Sequence, residues 1–156
     1  LSQKRHTDGL ELEAAGRITH RWDIFAGVNF MRARIDDPTA TQSAALADMR
    51  PRNAPPYTFN LWSTYNLGGG WRIGGGVEAK GDRLAYGLGS AAPNPNIAPA
   101  YQRWDAMVSY TQPAYTLKLN VLNLFDKRYY ESVYDNGGHA VPGTQRAVQL
   151  TAEYKF

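Results

Sequence analysis

The sequence contains no cysteine among its 156 residues, which excludes disulfides, thiolate metal sites and cysteine nucleophiles. It also has no run of 18 apolar residues, so a membrane-spanning helix is excluded, although an alternating membrane strand is not. The formal net charge is only +3, which falls short of the concentrated basic surface that indicates nucleic-acid binding. We therefore expect no nucleic-acid partner.

The opening segment Leu1–Leu10 has no charged start followed by an apolar stretch, so it shows no signal peptide. We expect the chain to be a piece of a longer one, with the targeting information upstream. Its 43% hydrophobic and 20% charged residues fit one domain or part of one. Fifteen glycines, nine prolines and ten tyrosines favour short strands joined by turns over a helical bundle.

Apolar residues recur at every second position in seven segments, which predicts seven strands with one apolar face each. The clearest set is the last one, where the apolar residues are Val148, Leu150, Ala152, Tyr154 and Phe156. The other six apolar sets lie within 10–18, 22–30, 57–65, 71–79, 104–110 and 115–121. The alternate positions carry many charges, which predicts a water-filled or plugged interior; these residues are Glu11, Glu13, Arg17, Arg72, Glu78, Lys80, Arg103, Asp105, Lys118, Glu153 and Lys155.

Short and long connections alternate along the chain. The short ones lie near His20–Arg21, Asn66–Gly70 and Thr111–Ala114, whereas the long ones cover roughly Ile35–Ala54, Asp82–Pro99 and Lys127–Gly143. The Pro, Gly, Asn and Asp residues of the long connections favour irregular backbone. An antiparallel meander with tight turns at one end and long loops at the other is typical of outer-membrane β-barrels, whose long loops lie outside the cell.

Aromatic residues form two rows, as the interfacial belts of such a barrel require. The first row flanks the short turns and contains Trp22, Tyr65, Trp71, Tyr110, Tyr115, Tyr154 and Phe156. The second row, about ten residues away, contains Phe30, Tyr57, Tyr101 and Trp104. Ten tilted residues span roughly 25 Å, which is the height of the apolar band. Because single-chain bacterial barrels have even strand numbers, we expect further strands upstream and assign residues 1–8 to an outer loop or to the end of the preceding strand.

The most specific motif of the sequence is the run Asn120–Tyr130. It resembles the penultimate strand of TonB-dependent outer-membrane receptors. Other segments of the chain are also similar to the family and occur in the same order as in its members. They are Gly9–Glu13, Arg52–Pro55 before Leu61-Trp62, Gly74–Val77 followed by Gly81–Arg83, Trp104–Ala106, and Pro142–Arg146 leading to Tyr154–Phe156. Within the family, Val141–Gly143 and Tyr129–Ser132 most resemble ferric siderophore receptors, the catecholate type among them.

The resemblance implies that residues 1–156 are the last seven strands of a 22-stranded transmembrane barrel in the outer membrane of a Gram-negative-type bacterium. The plug and the TonB-contacting segment would both lie in the missing N-terminal region. The implied function is energy-dependent uptake of a ferric siderophore, with outer-membrane lipid and the TonB complex as partners. The last strand also resembles the terminal strand that the barrel-assembly machinery recognises.

Uptake of an anionic ferric chelate would use cationic and aromatic side chains in the outer loops. The candidate ligand-binding residues are Arg83, Tyr86, Arg128, Tyr134 and His139, with Arg50, Arg52 and Tyr130 in the same loops. Asp36, Asp37 and Asp48 leave the loops close to neutral, so loop charge alone does not establish an anionic ligand.

No catalytic or cofactor site is expected. The triple glycines at 68–70 and 74–76 lack a following GxxxxGK[ST] motif, and turn geometry and close packing account for them. His6, His20 and His139 are too dispersed for a metal cluster, and no Ser/His/Asp spacing stands out. Besides the uptake receptor, the alternatives are a passive porin-like barrel, and a soluble β-rich binding module or barrel-embedded hydrolase.

Overall fold

The computed structural model describes residues 4–37, 49–85, 96–134 and 139–156. Its strands are β1 (Lys4–Thr19), β2 (Trp22–Asp37), β3 (Tyr57–Gly68), β4 (Trp71–Lys80), β5 (Arg83–Ala85), β6 (Asn96–Ala98), β7 (Tyr101–Thr111), β8 (Tyr115–Leu122), β9 (Tyr130–Val133), β10 (Ala140–Pro142) and β11 (Ala147–Tyr154). Seven of them form one antiparallel sheet in the order β1-β2-β3-β4-β7-β8-β11. The predicted all-β meander of seven strands is confirmed, and the described strands form an open wall rather than a closed barrel.

The strand register confirms the predicted alternation of faces. Leu10 lies opposite Phe30 on the neighbouring strand, and Val148 lies opposite Val121 in the same way. We call the side that bears these residues the apolar face and the other side the polar face. The apolar face is open to its surroundings, since Leu150 near the end of the chain is 71% exposed. Burial of a core therefore does not stabilise this face, and contact with lipid accounts for its composition.

The apolar face contains one serine, Ser63, whose hydroxyl group is satisfied within the sheet. The indole Nε1 of Trp22 donates a hydrogen bond of 2.8 Å to Ser63 Oγ. Each of these polar atoms would be costly to leave unpaired in hydrocarbon. The pair therefore explains how a polar residue is accommodated on this face.

Glycines on the polar face of β4 make room for a tryptophan of β3. Trp62 lies opposite Gly76, and a Cβ atom at Gly76 would lie 2.3 Å from the carbonyl oxygen of Leu61 and 2.5 Å from the Trp62 ring. No larger residue fits there without displacing the backbone. Close packing is thus the role of this glycine, as predicted.

The three predicted short turns are confirmed, and the aromatic row beside them is continuous. The ring centroids of Trp71 and Tyr110 are 4.6 Å apart, and those of Tyr110 and Tyr115 are 6.2 Å apart. The turn between β3 and β4 requires Gly70, because its φ is 89° and a Cβ atom would lie 2.3 Å from the Thr111 carbonyl oxygen.

Three expectations about the loop end of the sheet are wrong. Residues 4–8 continue β1 instead of forming a loop, because they pair with β2 as far as Asp37. Two of the long connections contain short ribbons, β5–β6 and β9–β10, where irregular backbone was expected. Tyr101 lies opposite Lys80 on the polar face, so it does not belong to the second aromatic row.

In the described part of the chain, no helix has the length and hydropathy needed to cross a membrane.

Candidate functional site

The polar face gathers charged and aromatic side chains where the sheet meets the loops. We call this group the tyrosine cluster, and its members are Glu78, Lys80, Arg83, Tyr101, Arg103, Asp105, Tyr129 and Glu131. They come from β4, β5, β7, β9 and the segment before β9. The cluster thus joins strands of the large sheet to the loop ribbons.

Tyr101 is the centre of the tyrosine cluster and is only 3% exposed. Its phenol donates a hydrogen bond to Glu78 Oε1 at 2.6 Å, and the phenol oxygen lies 3.2 Å from Glu131 Oε2. Its ring packs on that of Tyr129, with the centroids 4.2 Å apart. Arg103 completes this layer, because its guanidinium lies 3.2 Å from a Glu78 oxygen and 3.1 Å from an Asp105 oxygen. Glu78 is therefore held by the Arg103 guanidinium as well as by the phenol of Tyr101.

Lys80 and Glu131 form an ion pair that links the sheet to the β9–β10 ribbon. Lys80 Nζ lies 2.8 Å from Glu131 Oε1. This hydrogen bond is the largest influence that lowers the pKa of Glu131 below its ordinary value, although partial burial opposes it. Glu131 is therefore stabilised as a carboxylate, and the ribbon is held to the sheet through a charged contact.

Arg83, one of the predicted ligand-binding residues, lies inside the tyrosine cluster and is 1% exposed. Its guanidinium donates to the carbonyl oxygens of Gly81, at 2.9 Å, and Tyr130, at 2.5 Å. It also lies 5.2 Å from the centroid of the Tyr101 ring, which is a cation–π distance. These contacts make Arg83 a support for the ribbon, with its charge directed into the protein.

Asn53 connects the two ribbons, which meet in an apolar cluster of Ala85, Ala98 and Val133. The Asn53 amide donates to the Val133 carbonyl oxygen at 2.6 Å and accepts from the Val133 backbone nitrogen at 2.9 Å. The backbone nitrogen of Asn53 donates to the Leu84 carbonyl oxygen at 3.2 Å. Residues from all three long connections are therefore tied together at this one residue, through its side chain and its backbone nitrogen.

Arg50 lies close to Asn53 in the chain and adds an ion pair to the same assembly. Its Nη2 lies 2.5 Å from Asp82 Oδ2, just before β5. Arg50 was predicted to bind an anionic ligand, and in the structure its guanidinium pairs with a carboxylate of the protein itself. Arg52, which was predicted with it, is exposed.

Asn123 explains the most specific motif of the sequence. Its side chain is buried and donates to the carbonyl oxygens of Lys127 and Thr144, both at 2.9 Å. Its amide oxygen accepts from the Lys127 backbone nitrogen at 3.0 Å. Asn123 has a φ of 50°, a conformation that asparagine tolerates better than most residues. The hydrogen bonds of Asn123 therefore fix the backbone at the start of the loop between β8 and β9.

Four of the predicted ligand-binding positions lie on the loop surface in two places. Arg128 and Tyr130 line a groove of about 320 Å³ with Lys127, Pro142 and Gln145 among its other walls. Tyr134 and His139 meet at the tip of the β9–β10 ribbon, with ring centroids 6.4 Å apart at 87°.

Tyr134 is 58% exposed, so its phenol is available to a ligand from outside. Its backbone nitrogen donates to the His139 carbonyl oxygen at 3.0 Å, which closes the ribbon and fixes the two side chains relative to each other. Tyr86, the remaining predicted ligand-binding residue, lies outside the described residues.

Sequence reasoning missed Asn53, Asn123 and Glu131 as members of this region. The signal for the two asparagines was their residue type within loops, because asparagine favours positive φ and bonds to nearby backbone. Among the described residues, no group of His, Asp and Glu is arranged to hold a metal ion.

Comparisons with known proteins agree with this architecture. A family model described as TonB dependent receptor-like, beta-barrel, matches residues 2–124. The chain is 32% identical over 160 residues to a probable TonB-dependent receptor, BfrD, of Bordetella pertussis, an alignment that covers 98% of this chain and 21% of that protein. It is 29% identical over 154 residues to the catecholate siderophore receptor Fiu of Escherichia coli K12, covering 98% of this chain and 20% of Fiu.

Solved structures give the same result. The crystal structure of the siderophore receptor PiuA from Acinetobacter baumannii superposes with a TM-score of 0.85 at 26% identity, covering 97% of this chain and 22% of PiuA. The closed form of Fiu from E. coli K12 has a TM-score of 0.85 at 28% identity, covering 99% of this chain and 21% of that one. The chain spans about a fifth of the length of the curated relatives it matches. With its seven-stranded wall, its sorted turns and its motif around Asn123, this chain belongs to the TonB-dependent receptor family.

Proposed function

We propose that the chain is the C-terminal barrel part of an outer-membrane receptor for energy-dependent uptake of ferric siderophores. The observation that carries this proposal is the match of almost the whole chain, in sequence and in fold, to receptors named for siderophores. The exposed apolar face supports an outer-membrane location, because contact with lipid makes such a face favourable.

The proposal includes parts that lie outside these residues. The full receptor would contain a 22-stranded barrel, a plug inside it and a segment that contacts the TonB complex. The charged polar face supports this arrangement, because it is suited to water or to a plug. The relatives named above are receptors, and we propose no enzymatic activity for this chain.

For the ligand, we propose that Arg128, Tyr134 and His139 act on the outer surface, with Tyr130 in the groove beside Arg128. Arginine pairs with anionic chelate oxygens, and tyrosine packs on aromatic rings such as those of a catecholate. Arg83 is assigned to a supporting role in the same proposal, because its guanidinium bonds to the carbonyl oxygens of Gly81 and Tyr130. Tyr86 stays a prediction from the sequence.

The function is tested by uptake of radioactive iron in iron-starved cells that carry the full-length gene. Ferric catecholate should enter in cells with an intact TonB system and should not enter after TonB is deleted. Uptake that persists without TonB would overturn the proposal and indicate a passive porin-like barrel. Absence of uptake for ferric catecholates, hydroxamates and mixed chelates alike would remove the siderophore assignment.

The site assignment is tested on the purified full-length receptor by intrinsic tryptophan quenching with a ferric catecholate. The double variant Arg128→Ala/Tyr134→Ala should bind about tenfold more weakly, which corresponds to roughly 1.4 kcal/mol, while folding normally. Arg21→Ala, at the turn end of the sheet, is the matched control and should bind like the wild type. Wild-type affinity in the double variant would remove these residues from the site.

A further inference from the structure

The phenol of Tyr101 lies between two carboxylates that belong to different parts of the protein. Glu78 is in β4 of the large sheet, whereas Glu131 is in β9 of the loop ribbon. The phenol oxygen is 2.6 Å from Glu78 Oε1 and 3.2 Å from Glu131 Oε2. A phenol has one proton, so Tyr101 donates a full hydrogen bond to one of these carboxylates at a time. The shorter of the two contacts, the one to Glu78, is the bond that the structure contains.

The two carboxylates are equivalent in their other contacts. Glu78 presents its second oxygen, Oε2, to the Arg103 guanidinium at 3.2 Å. Glu131 presents its second oxygen, Oε1, to the Lys80 ammonium at 2.8 Å. Each carboxylate therefore keeps a cation whether or not it accepts from the phenol. Because neither loses its only partner, a change of acceptor costs little free energy, and the hydroxyl group has two usable positions.

The Tyr101 ring is fixed, so the hydroxyl hydrogen can change direction without movement of the ring. The residue is 3% exposed, and its ring packs on Tyr129 with the centroids 4.2 Å apart. The carboxylate that accepts must therefore come to the phenol. A full O–H···O bond has a length of about 2.7 Å, so acceptance by Glu131 would bring that carboxylate about half an ångström nearer to the sheet.

The strand that carries Glu131 leads directly to proposed ligand-binding residues. β9 ends at Val133, and the next residue is Tyr134, whose ring meets that of His139 at the tip of the ribbon. The Tyr134 backbone nitrogen donates to the His139 carbonyl oxygen at 3.0 Å, so the two residues move together. A displacement at Glu131 therefore reaches the proposed ligand site along one short strand.

We propose that Tyr101 couples the position of the β9–β10 ribbon to the charges of the polar face, by donating its hydrogen bond either to Glu78 or to Glu131. Donation to Glu78 leaves the ribbon less firmly docked, and donation to Glu131 draws it towards the sheet. The inference rests on the proposed function, because it adds a regulation to the proposed ligand site at Tyr134 and His139. By linkage, a ligand that favours the docked ribbon also favours donation to Glu131, so binding outside changes the hydrogen bonding on the polar face.

The experiment measures hydrogen exchange of the ribbon amides in the purified full-length receptor at neutral pH. Glu78→Gln replaces the charged acceptor in the sheet with a weaker neutral one, so the phenol should turn to Glu131. Protection of the ribbon should rise about fivefold, although the substitution removes a contact within the sheet. Glu78→Asp is the second variant, because it keeps the charge but withdraws the carboxylate from the phenol by one methylene, and it should raise protection too. Both variants keep Glu131 with Lys80, and therefore the acid response of that pair.

A second substitution tests whether the effect passes through the phenol. Tyr101→Phe keeps the ring and removes the proton, so Glu78→Gln should have no effect on the ribbon in this background. Tyr110→Phe is the matched control, since it removes the hydroxyl of another tyrosine of β7, which accepts from Gln112 Nε2 at 2.6 Å. In the Tyr110→Phe background the rise in protection should be retained.

Unchanged or lowered ribbon protection in Glu78→Gln and Glu78→Asp would overturn the proposal. An equal rise in the Tyr101→Phe background would overturn it as well, because the effect would then come from reduced repulsion between carboxylates. Loss of the rise in both tyrosine backgrounds would likewise refute a specific role of Tyr101.

The same variants test the connection to the ligand site. Glu78→Gln should bind ferric catecholate severalfold more tightly than the wild type, because a firmly docked ribbon holds Tyr134 and His139 in place before the ligand arrives. Unchanged affinity beside raised protection would overturn the regulation of the ligand site. A receptor that binds no chelate, with the exchange results as expected, would refute the siderophore function and leave the coupling between ribbon and sheet standing.

Discussion

The side chain of Asn53 forms a pair of hydrogen bonds with the backbone of Val133, a residue 80 positions later in the chain. The contact resembles a step of a β-ladder in which a side-chain amide replaces one strand. It requires a φ of 54° at Asn53, which places the amide and the backbone nitrogen of the same residue against different ribbons. Loops with separate positions in the sequence are thereby held as one unit.

We predict that Asn53→Ala destabilises this loop assembly by about 2 kcal/mol, because the Val133 groups lose their partners and alanine disfavours positive φ. Limited proteolysis of the full-length receptor should show faster cleavage in the outer loops. Asn53→Gly keeps the backbone conformation accessible but removes the amide, so it separates the two causes. Unchanged cleavage in both variants would show that the contact does not hold the loops.

The Lys80–Glu131 pair predicts a pH dependence of the β9–β10 ribbon. The pKa of Glu131 is lowered in the folded protein, so its contribution is fully present above the unfolded value of about 4.3 and is lost as the pH falls through the folded pKa. The protection factors of the ribbon amides, which are corrected for the intrinsic exchange rate at each pH, should therefore fall at acid pH below about 4.3.

Glu131→Gln should reduce ribbon protection at neutral pH and remove this part of its pH dependence. Glu78→Gln is the control, because Glu78 accepts a hydrogen bond from Tyr101 and pairs with Arg103 within the sheet. The same acid response in the wild type and in Glu131→Gln would contradict the prediction.

The sequence predicted the sheet well because strand faces depend on a local rule. Alternation with a period of two identified both faces of all seven strands, and the register then placed residues such as Val121 and Val148 opposite each other. The alternation of short and long connections was also predicted from local signals, since turn residues cluster where strands end.

Tyr101 shows where the prediction failed although the signal was present. Tyr101 lies an even number of residues from Arg103 and Asp105, which were assigned to the polar face, so all three side chains lie on that face of the strand. Trp104 lies an odd number of residues away and is on the opposite face. The prediction grouped aromatic residues by their distance from the turns, without considering which face of the strand they occupy, and this placed Tyr101 in a lipid-facing belt. The alternation of faces alone would have assigned it to the polar face.

The contacts of the tyrosine cluster were beyond sequence reasoning for a different reason. Arg83 was chosen because it lies in a loop, but its burial depends on Tyr101 and on the carbonyl oxygen of Tyr130, which lies 47 positions away. Such pairings are set by how two ribbons pack, and no local pattern encodes them. Loop arginines are therefore weak ligand candidates until their own chain has been searched for partners.

Gly76→Ala should destabilise the sheet by about 2 kcal/mol, because the added Cβ atom would collide with the Leu61 carbonyl and the Trp62 ring. Gly16→Ala is the matched control, since a Cβ atom at Gly16 meets nothing within 4 Å. The folded fraction of the full-length barrel in urea, followed by its heat-modifiable gel mobility, measures both. Equal midpoints for the two variants would show that the sheet relaxes around the extra methyl group.

The aromatic pair Tyr154 and Phe156 provides a prediction about assembly. Phe156 is fully exposed and meets Tyr154 edge to face, with ring centroids 5.3 Å apart at 79°. Both rings extend the apolar face at the turn end of the sheet, where an interfacial belt anchors a membrane strand. Since β11 resembles a strand that the barrel-assembly machinery recognises, deletion of Phe156 from the full-length receptor should reduce its insertion into the outer membrane severalfold. Phe156→Tyr keeps an aromatic ring and should insert normally. Surface levels measured under modest expression decide between them, and wild-type levels after the deletion would count against the assembly role.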